Sequence, residues 1–208
     1  MSPRVSLLQA SGVTCYRGET CLFENLGFKL TAGEALQVEG ANGAGKTSLL
    51  RIVAGMTPPD EGDVLWRGER IQDRRPEFNA QLAYLGHHLG LKHELTVEEN
   101  LRAAVVIQGA AQSLEDLPEV LSRVGLSERA DLPVRVLSAG QKQRVALARM
   151  LLIGAVLWVL DEPFTALDAS GIGLIGELLE QHLDRGGLAV MTSHQAIPLG
   201  SRLRRLIL

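Results

Sequence analysis

One stretch constrains this chain more than any other: Gly40-Ala-Asn-Gly-Ala-Gly-Lys-Thr47, which meets the phosphate-binding pattern G-x-x-x-x-G-K-[ST] at every fixed position. Gly40, Gly43 and Gly45 allow backbone conformations closed to residues with a Cβ. Successive N–H groups, those of Ala41, Asn42 and Ala44 among them, can then point inward around phosphate oxygens. Lys46 supplies a mobile point charge for the β- and γ-phosphates, and Thr47 a hydroxyl for Mg2+. The pattern needs a strand before it and a helix after it. Ala35–Val38 reads as a strand. Residues 46–54 read as a helix with Leu49, Leu50, Ile52 and Val53 to bury, its positive end facing the phosphates.

A second constellation lies downstream. Six apolar residues, Ala155 to Leu160, lead into Asp161 and Glu162, as in a strand buried on both faces that ends in two carboxylates. Acids at the C-terminal tip of such a strand are costly unless used, and open α/β sheets bind ligands at those tips. Asp161 suits the Mg2+ side of a phosphate site and Glu162 a general base for water. Leu188–Thr192 is a further buried strand, and His194 follows its tip, where an imidazole can contact a γ-phosphate or serve structure alone. Ser138 and Gln141 open a helix and fit a capping box. The same segment, with Gly140, could aim a helix N-terminus at an anion, so both readings stand. Tyr16 is either a sheet-face tyrosine or a platform for a base.

Between these motifs the chain reads as short strands around 5–8, 13–16 and 26–30, then 61–68 and 82–86, punctuated by glycines. Thr96 to Glu99 fits a capping box before a helix to Gln108. Leu114–Val124 reads as a second helix with Pro118 near its start. This is a helical lobe set into an α/β core.

The 208 residues suit one domain with a lobe, and a net charge of −3 gives no support to a nucleic-acid partner. Arg74–Arg75 and the cluster Arg202, Arg204, Arg205 read as solvated faces. No secretory leader opens the sequence, and its longest apolar run, 150–160, is too short to span a bilayer. Cys15 and Cys21 read as reduced thiols of a cytosolic protein with incidental roles.

Taken together, these motifs resemble the nucleotide-binding subunits of ABC transporters, in that superfamily's order over nearly the full length: Tyr16, Gly40–Thr47, the loop at His87–His88, Leu137–Gln141, Leu157–Glu162, Ala166–Asp168 and His194. Within the superfamily the chain is similar to the cytochrome c biogenesis ATP-binding proteins. The residues that carry this likeness are 40–47, 84–92, 95–101, 137–149 and 157–168. The resemblance implies a P-loop NTPase core of mostly parallel sheet flanked by helices, an N-terminal antiparallel β-subdomain, and an α-helical lobe at about 89–152 inserted in a RecA-like core. It implies ATP and Mg2+ as ligands. Tyr16, residues 40–47, Ser138, Gly140, Gln141 and Asp168 would hold nucleotide; Thr47, Asp161 and His88 would hold metal; Glu162, His194 and His88 would be catalytic. His88 stands where the superfamily usually has Gln, and Ala139 where Gly is common. The implied assembly is a homodimer on the cytoplasmic face of the bacterial inner membrane, attached through the permease CcmB with CcmC and CcmD. Its output is ATP-driven haem export and release of the haem-loaded chaperone CcmE. Service to a permease for another substrate is the alternative.

Overall fold

The computed structural model describes residues 6–109, 111–193, 195, 197 and 199–208. The chain begins with two long antiparallel strands, β1 (Ser6–Arg17) and β2 (Thr20–Thr31). Sequence reading breaks this region into three short strands at its glycines, and the structure corrects that. Gly12, at φ 62°, sits where the β1–β2 register shifts between Ala10 and Val13, so it marks a bulge inside a strand and not an end. Val5, assigned to the first short strand, lies outside the described residues.

Then come β3 (Ala35–Glu39), α1 (Lys46–Val53), β4 (Glu61–Trp66), β5 (Glu69–Arg70), α2 (Arg75–Asn79) and β6 (Leu82–Leu85). The lobe follows, with α3 (Val97–Ile107), α4 (Leu117–Arg123) and the first turns of α5 (Ala139–Ile153). The chain closes with β7 (Leu157–Asp161), α6 (Ala169–Asp184), β8 (Leu188–Thr192) and β9 (Leu203–Ile207). The helix expected from Leu114 starts at Leu117 instead. Pro118 in its first turn lacks an N–H and cannot sit deeper in a helix, so residues 111–116 take a 3-10 form. The arginine-rich tail is solvated as expected, yet it is also a strand, β9, paired to β3.

The strands form two sheets. One is antiparallel, in the order β2-β1-β4-β5; the other runs β6-β7-β8-β3-β9 with every pairing parallel. All five residues of β7 and of β8 are buried, which explains their unbroken apolar runs. One face of the parallel sheet packs with α1 against the antiparallel sheet, through Leu36, Val38, Leu49, Val159 and Val190. The other face is covered by α5 and α6, through Leu147, Met150, Leu160, Ile175 and Leu179. The lobe has its own core around Val97, Leu101, Leu121, Val145 and Leu152. Helix α5 contributes to both of the last two cores, so it joins the lobe to the sheet.

Parallel strand order has a functional consequence. It aligns the C-terminal tips of β3, β7 and β8 along one edge, where the phosphate loop and both carboxylates emerge. At the opposite edge the His182 ring stacks on Trp158, with centroids 4.1 Å apart and planes 13° apart, and its Nε2 lies 3.1 Å from the Leu188 carbonyl oxygen. Burial pushes the His182 imidazole below its ordinary pKa. The unfolded chain therefore takes up this proton more readily than the folded one. That stability is complete above the ordinary histidine range and is lost as pH falls through and below it. Urea midpoints measured from about pH 7.5 down to about 5 should fall more steeply for the wild type than for His182→Gln.

Candidate functional site

The site begins with the turn from β3 into α1. Gly40, Gly43 and Gly45 have φ of 150°, 86° and 100°. Two of them also sit against neighbours. A Cβ on Gly40 would lie 3.1 Å from the Leu208 carbonyl oxygen, and one on Gly45 would lie 3.0 Å from Leu22 Cβ and 3.1 Å from the Phe23 ring. The loop is thus bolted between β9 and the β1–β2 hairpin. Helix α1 starts at Gly45 with no side-chain cap and no acid in its first turn. Its first N–H groups are left for an outside acceptor, and the helix end is positive. Ala41, Asn42 and Gly43 are exposed, while Ala44 is half-buried. Lys46 folds over the loop, its Nζ donating to the carbonyls of Gly40 (2.8 Å) and Ala41 (3.0 Å). This cradle fits a polyphosphate, whose oxygens would take the place of those carbonyls.

Around Asp161 the tips converge. Thr47 Oγ1 donates to Asp161 Oδ2 at 2.9 Å, Thr192 Oγ1 donates to Asp161 Oδ1 at 2.8 Å, and the Glu162 N–H donates to Thr192 Oγ1 at 2.8 Å. Asp161 is buried with only 7% exposure. The described residues contain no group of three or more His, Cys, Asp or Glu side chains able to hold a metal. A hydroxyl and one carboxylate are what Mg2+ takes from a protein when substrate phosphates and water complete its oxygen shell. The residues present therefore fit the ion.

Glu162 has φ 51°, a left-handed conformation that is sparse for a residue with a Cβ. It borders a cavity of about 80 Å³ with Phe164, Thr165, Ser193 and Gln195, large enough for water. Next to it a polar cavity of about 320 Å³ reaches Lys46, Gln37, Ser193, Gln195 and Arg205. Gln37, buried in β3, donates through Nε2 to the Ser193 carbonyl at 3.1 Å and the Gln195 carbonyl at 3.5 Å. It holds the turn beyond β8 to the strand that feeds the loop. His194 itself lies outside the described residues.

The remaining candidates are distributed around this centre. Tyr16 is 47% exposed and is the cross-strand partner of Cys21, one step from the Leu22–Phe23 contact with Gly45; its N–H donates to Asp60 at 2.7 Å. The Cys21 thiol and nearby acids raise the Tyr16 phenol pKa, so the ring stays neutral. Ser138 and Gln141 form the reciprocal capping box of α5 at 3.2 and 2.9 Å, on an exposed helix start. Asp168 caps α6, accepting from the Gly171 N–H at 2.8 Å; that bond holds its carboxyl below the usual range. His88 is exposed and meets the His87 ring at 5.5 Å. Thus the structure brings the loop, Thr47, Asp161 and Glu162 together, places Tyr16 one strand position from the residues that touch the loop, and leaves Ser138 and Asp168 exposed with Gly140 half-buried.

Sequence reading missed Thr192. A polar residue closing the apolar run 188–191 was the available signal. Replacing it by Val leaves the Asp161 oxygen short of a donor and the Glu162 N–H without that acceptor. Thr192→Val should cost about 1–3 kcal/mol in urea unfolding and lower Mg2+-dependent ATP turnover on the order of tenfold or more, whereas Thr192→Ser should retain both.

Comparison with known proteins places this geometry. The family described as ABC transporter matches residues 23–165. A curated relative from Methylococcus capsulatus, named cytochrome c biogenesis ATP-binding export protein CcmA, is 52% identical over 96% of each chain. One of the same name from Vibrio vulnificus is 48% identical, covering 91% of this chain and 92% of its own. A solved structure described as the ATP binding subunit of an ABC transporter superposes with a TM-score of 0.83 at 29% identity, covering 91% of this chain and 80% of the other. The loop, the paired hydroxyls on Asp161 and the strand order agree with that kinship: the chain belongs to the ABC transporter ATPases and, within them, to the family of cytochrome c biogenesis ATP-binding export proteins.

Proposed function

We propose that this chain is the ATP-hydrolysing subunit of a haem-linked export complex for c-type cytochrome biogenesis, working as a homodimer under a membrane permease. The convergence of Lys46, Thr47, Asp161 and Glu162 at the tips of β3 and β7 carries the reading. ATP lies with its phosphates in the loop 40–47 and its base against Tyr16. Thr47 and Asp161 hold Mg2+, which when bound neutralises phosphate charge and orients the phosphates. Lys46 exchanges its two loop carbonyls for phosphate oxygens. Glu162 takes the proton of a water held in the cavity it lines, and His194 and His88 contact the γ-phosphate side. Positive groups gathered before the reaction stabilise charge that spreads over the transferring phosphoryl group.

One chain has only part of this site. Ser138 and Gly140 of a second copy complete it: a helix start that exposes its hydroxyl suits the γ-phosphate of the facing chain's ATP. Closure of two copies over two nucleotides is the stroke passed to the permease. Exposed apolar side chains of Met56 and Ile107 line a groove of about 570 Å³ between the core and the lobe, which suits docking of that permease. The partners that fit this reading are CcmB with CcmC and CcmD, at the cytoplasmic face of the inner membrane.

The test joins both halves of the proposal. In detergent, the wild-type chain should co-purify with CcmB and hydrolyse ATP with Mg2+; Glu162→Gln should co-purify equally and lose at least about a hundredfold in turnover. Undiminished turnover in Glu162→Gln would remove the general base. Association only with a permease for another substrate would remove the haem-linked role.

A further inference from the structure

We propose that Gln143 is a positioning residue for Glu162 and that, with Arg144, it ties the helix start bearing Ser138 and Gly140 to the segment 162–168. The proposal rests on the reading of Glu162 as general base.

The segment 162–168 contains two left-handed residues with side chains, Glu162 at φ 51° and Ala166 at φ 63°. Such residues persist only where their surroundings over-determine them. Three contacts from α5 do this. Gln143 is buried, with 7% exposure, and its Nε2 donates to the Pro163 carbonyl at 2.8 Å. Proline has no N–H, so that carbonyl is its whole main-chain hydrogen-bonding capacity. The peptide groups around Glu162 are therefore held from both sides, by Thr192 on its N–H and by Gln143 one residue later. One turn earlier on the helix, a Cβ on Gly140 would lie 3.1 Å from the Ala166 carbonyl oxygen, so the first turn of α5 lies directly on the second left-handed residue.

Arg144 makes the third contact. Its Nη1 donates to the Val124 carbonyl of the lobe at 3.1 Å. Its Nη2 donates to Ser170 Oγ at 2.9 Å and lies 3.8 Å from Asp168 Oδ1. The neighbours Val145, Ala146, Leu147 and Ala148 are buried and apolar. A buried amide among them is costly unless its bond is used. Here it is used on the residue after the general base. The consequence is mechanical. The helix start that offers Ser138 and Gly140 to a second copy is thus held to the main chain beside Glu162 of its own chain.

The test uses the full chain under conditions where the wild type hydrolyses ATP. Glu162→Gln comes first; if it turns over like the wild type, the general-base reading fails and this inference with it. If it is inactive, Gln143→Leu should lower kcat at least tenfold while the Kd for a non-hydrolysable ATP analogue stays within twofold. Gln143→Glu adds a pH readout. Its protonated carboxyl can still donate to Pro163, whereas the carboxylate repels that carbonyl, so its kcat should fall with rising pH where the wild-type profile does not. Wild-type kcat in Gln143→Leu with intact binding overturns the proposal. Should that variant fail to fold, Gln143→Glu decides alone, and a pH profile parallel to wild type overturns it.

Discussion

The buried carboxylate of Asp161, bonded by Thr47 on one oxygen and Thr192 on the other, is the interaction on which the rest depends. Removing a charge from water costs several kcal/mol unless it is paired. Two hydroxyls offset part of that cost, and a cation would offset the rest. Those hydroxyls come from the start of α1 and the end of β8, with Asp161 at the end of β7. Only a parallel sheet in which β7 and β8 neighbour one another, and β8 neighbours β3, brings these tips together. The apolar runs of β7 and β8 follow from that requirement, since a strand in this position is covered on both faces.

The same site shows why the helical lobe cannot be a separate accessory. Helix α5 buries one side in the sheet's core and another in the lobe's core. Its first turn is capped by its own Ser138 and Gln141, which leaves the turn rigid and solvent-facing. A capped helix start whose Ser138 hydroxyl is exposed suits a two-chain site. The strain at Glu162 and Ala166 belongs to this joint, where local conformation is set by contacts from α5 and not by local preference.

Much of this was legible in the sequence. The loop 40–47, the strand before it and the helix after it are a local pattern that tertiary context could not alter. The capping boxes at Thr96 and Ser138 were likewise local, and both formed. Non-local features were hidden. Gly12 looks like a strand end, and only pairing with β2 reveals a bulge. The strand β9 was masked by its arginines, because this edge strand exposes Arg204 and Arg205 in succession and so lacks the period-two pattern. Thr192 and Gln143 have no motif of their own; their importance comes from partners 31 and 20 residues away. The capping role of Asp168 was equally invisible until α6 was seen to start beside it. His88, which stands where the superfamily usually has Gln, is exposed and packs its ring near that of His87.

The central claim is that a whole site needs two chains, and mixing two variants tests it most directly. Lys46→Ala destroys the loop but keeps the exposed helix start; Ser138→Arg blocks the helix start but keeps the loop. Each should hydrolyse ATP poorly alone. A mixed dimer has one site with an intact loop and an intact helix start, so the account predicts that turnover returns on mixing. A mixture as inactive as its components, beside an active wild type, would contradict it, as would full turnover of Ser138→Arg alone.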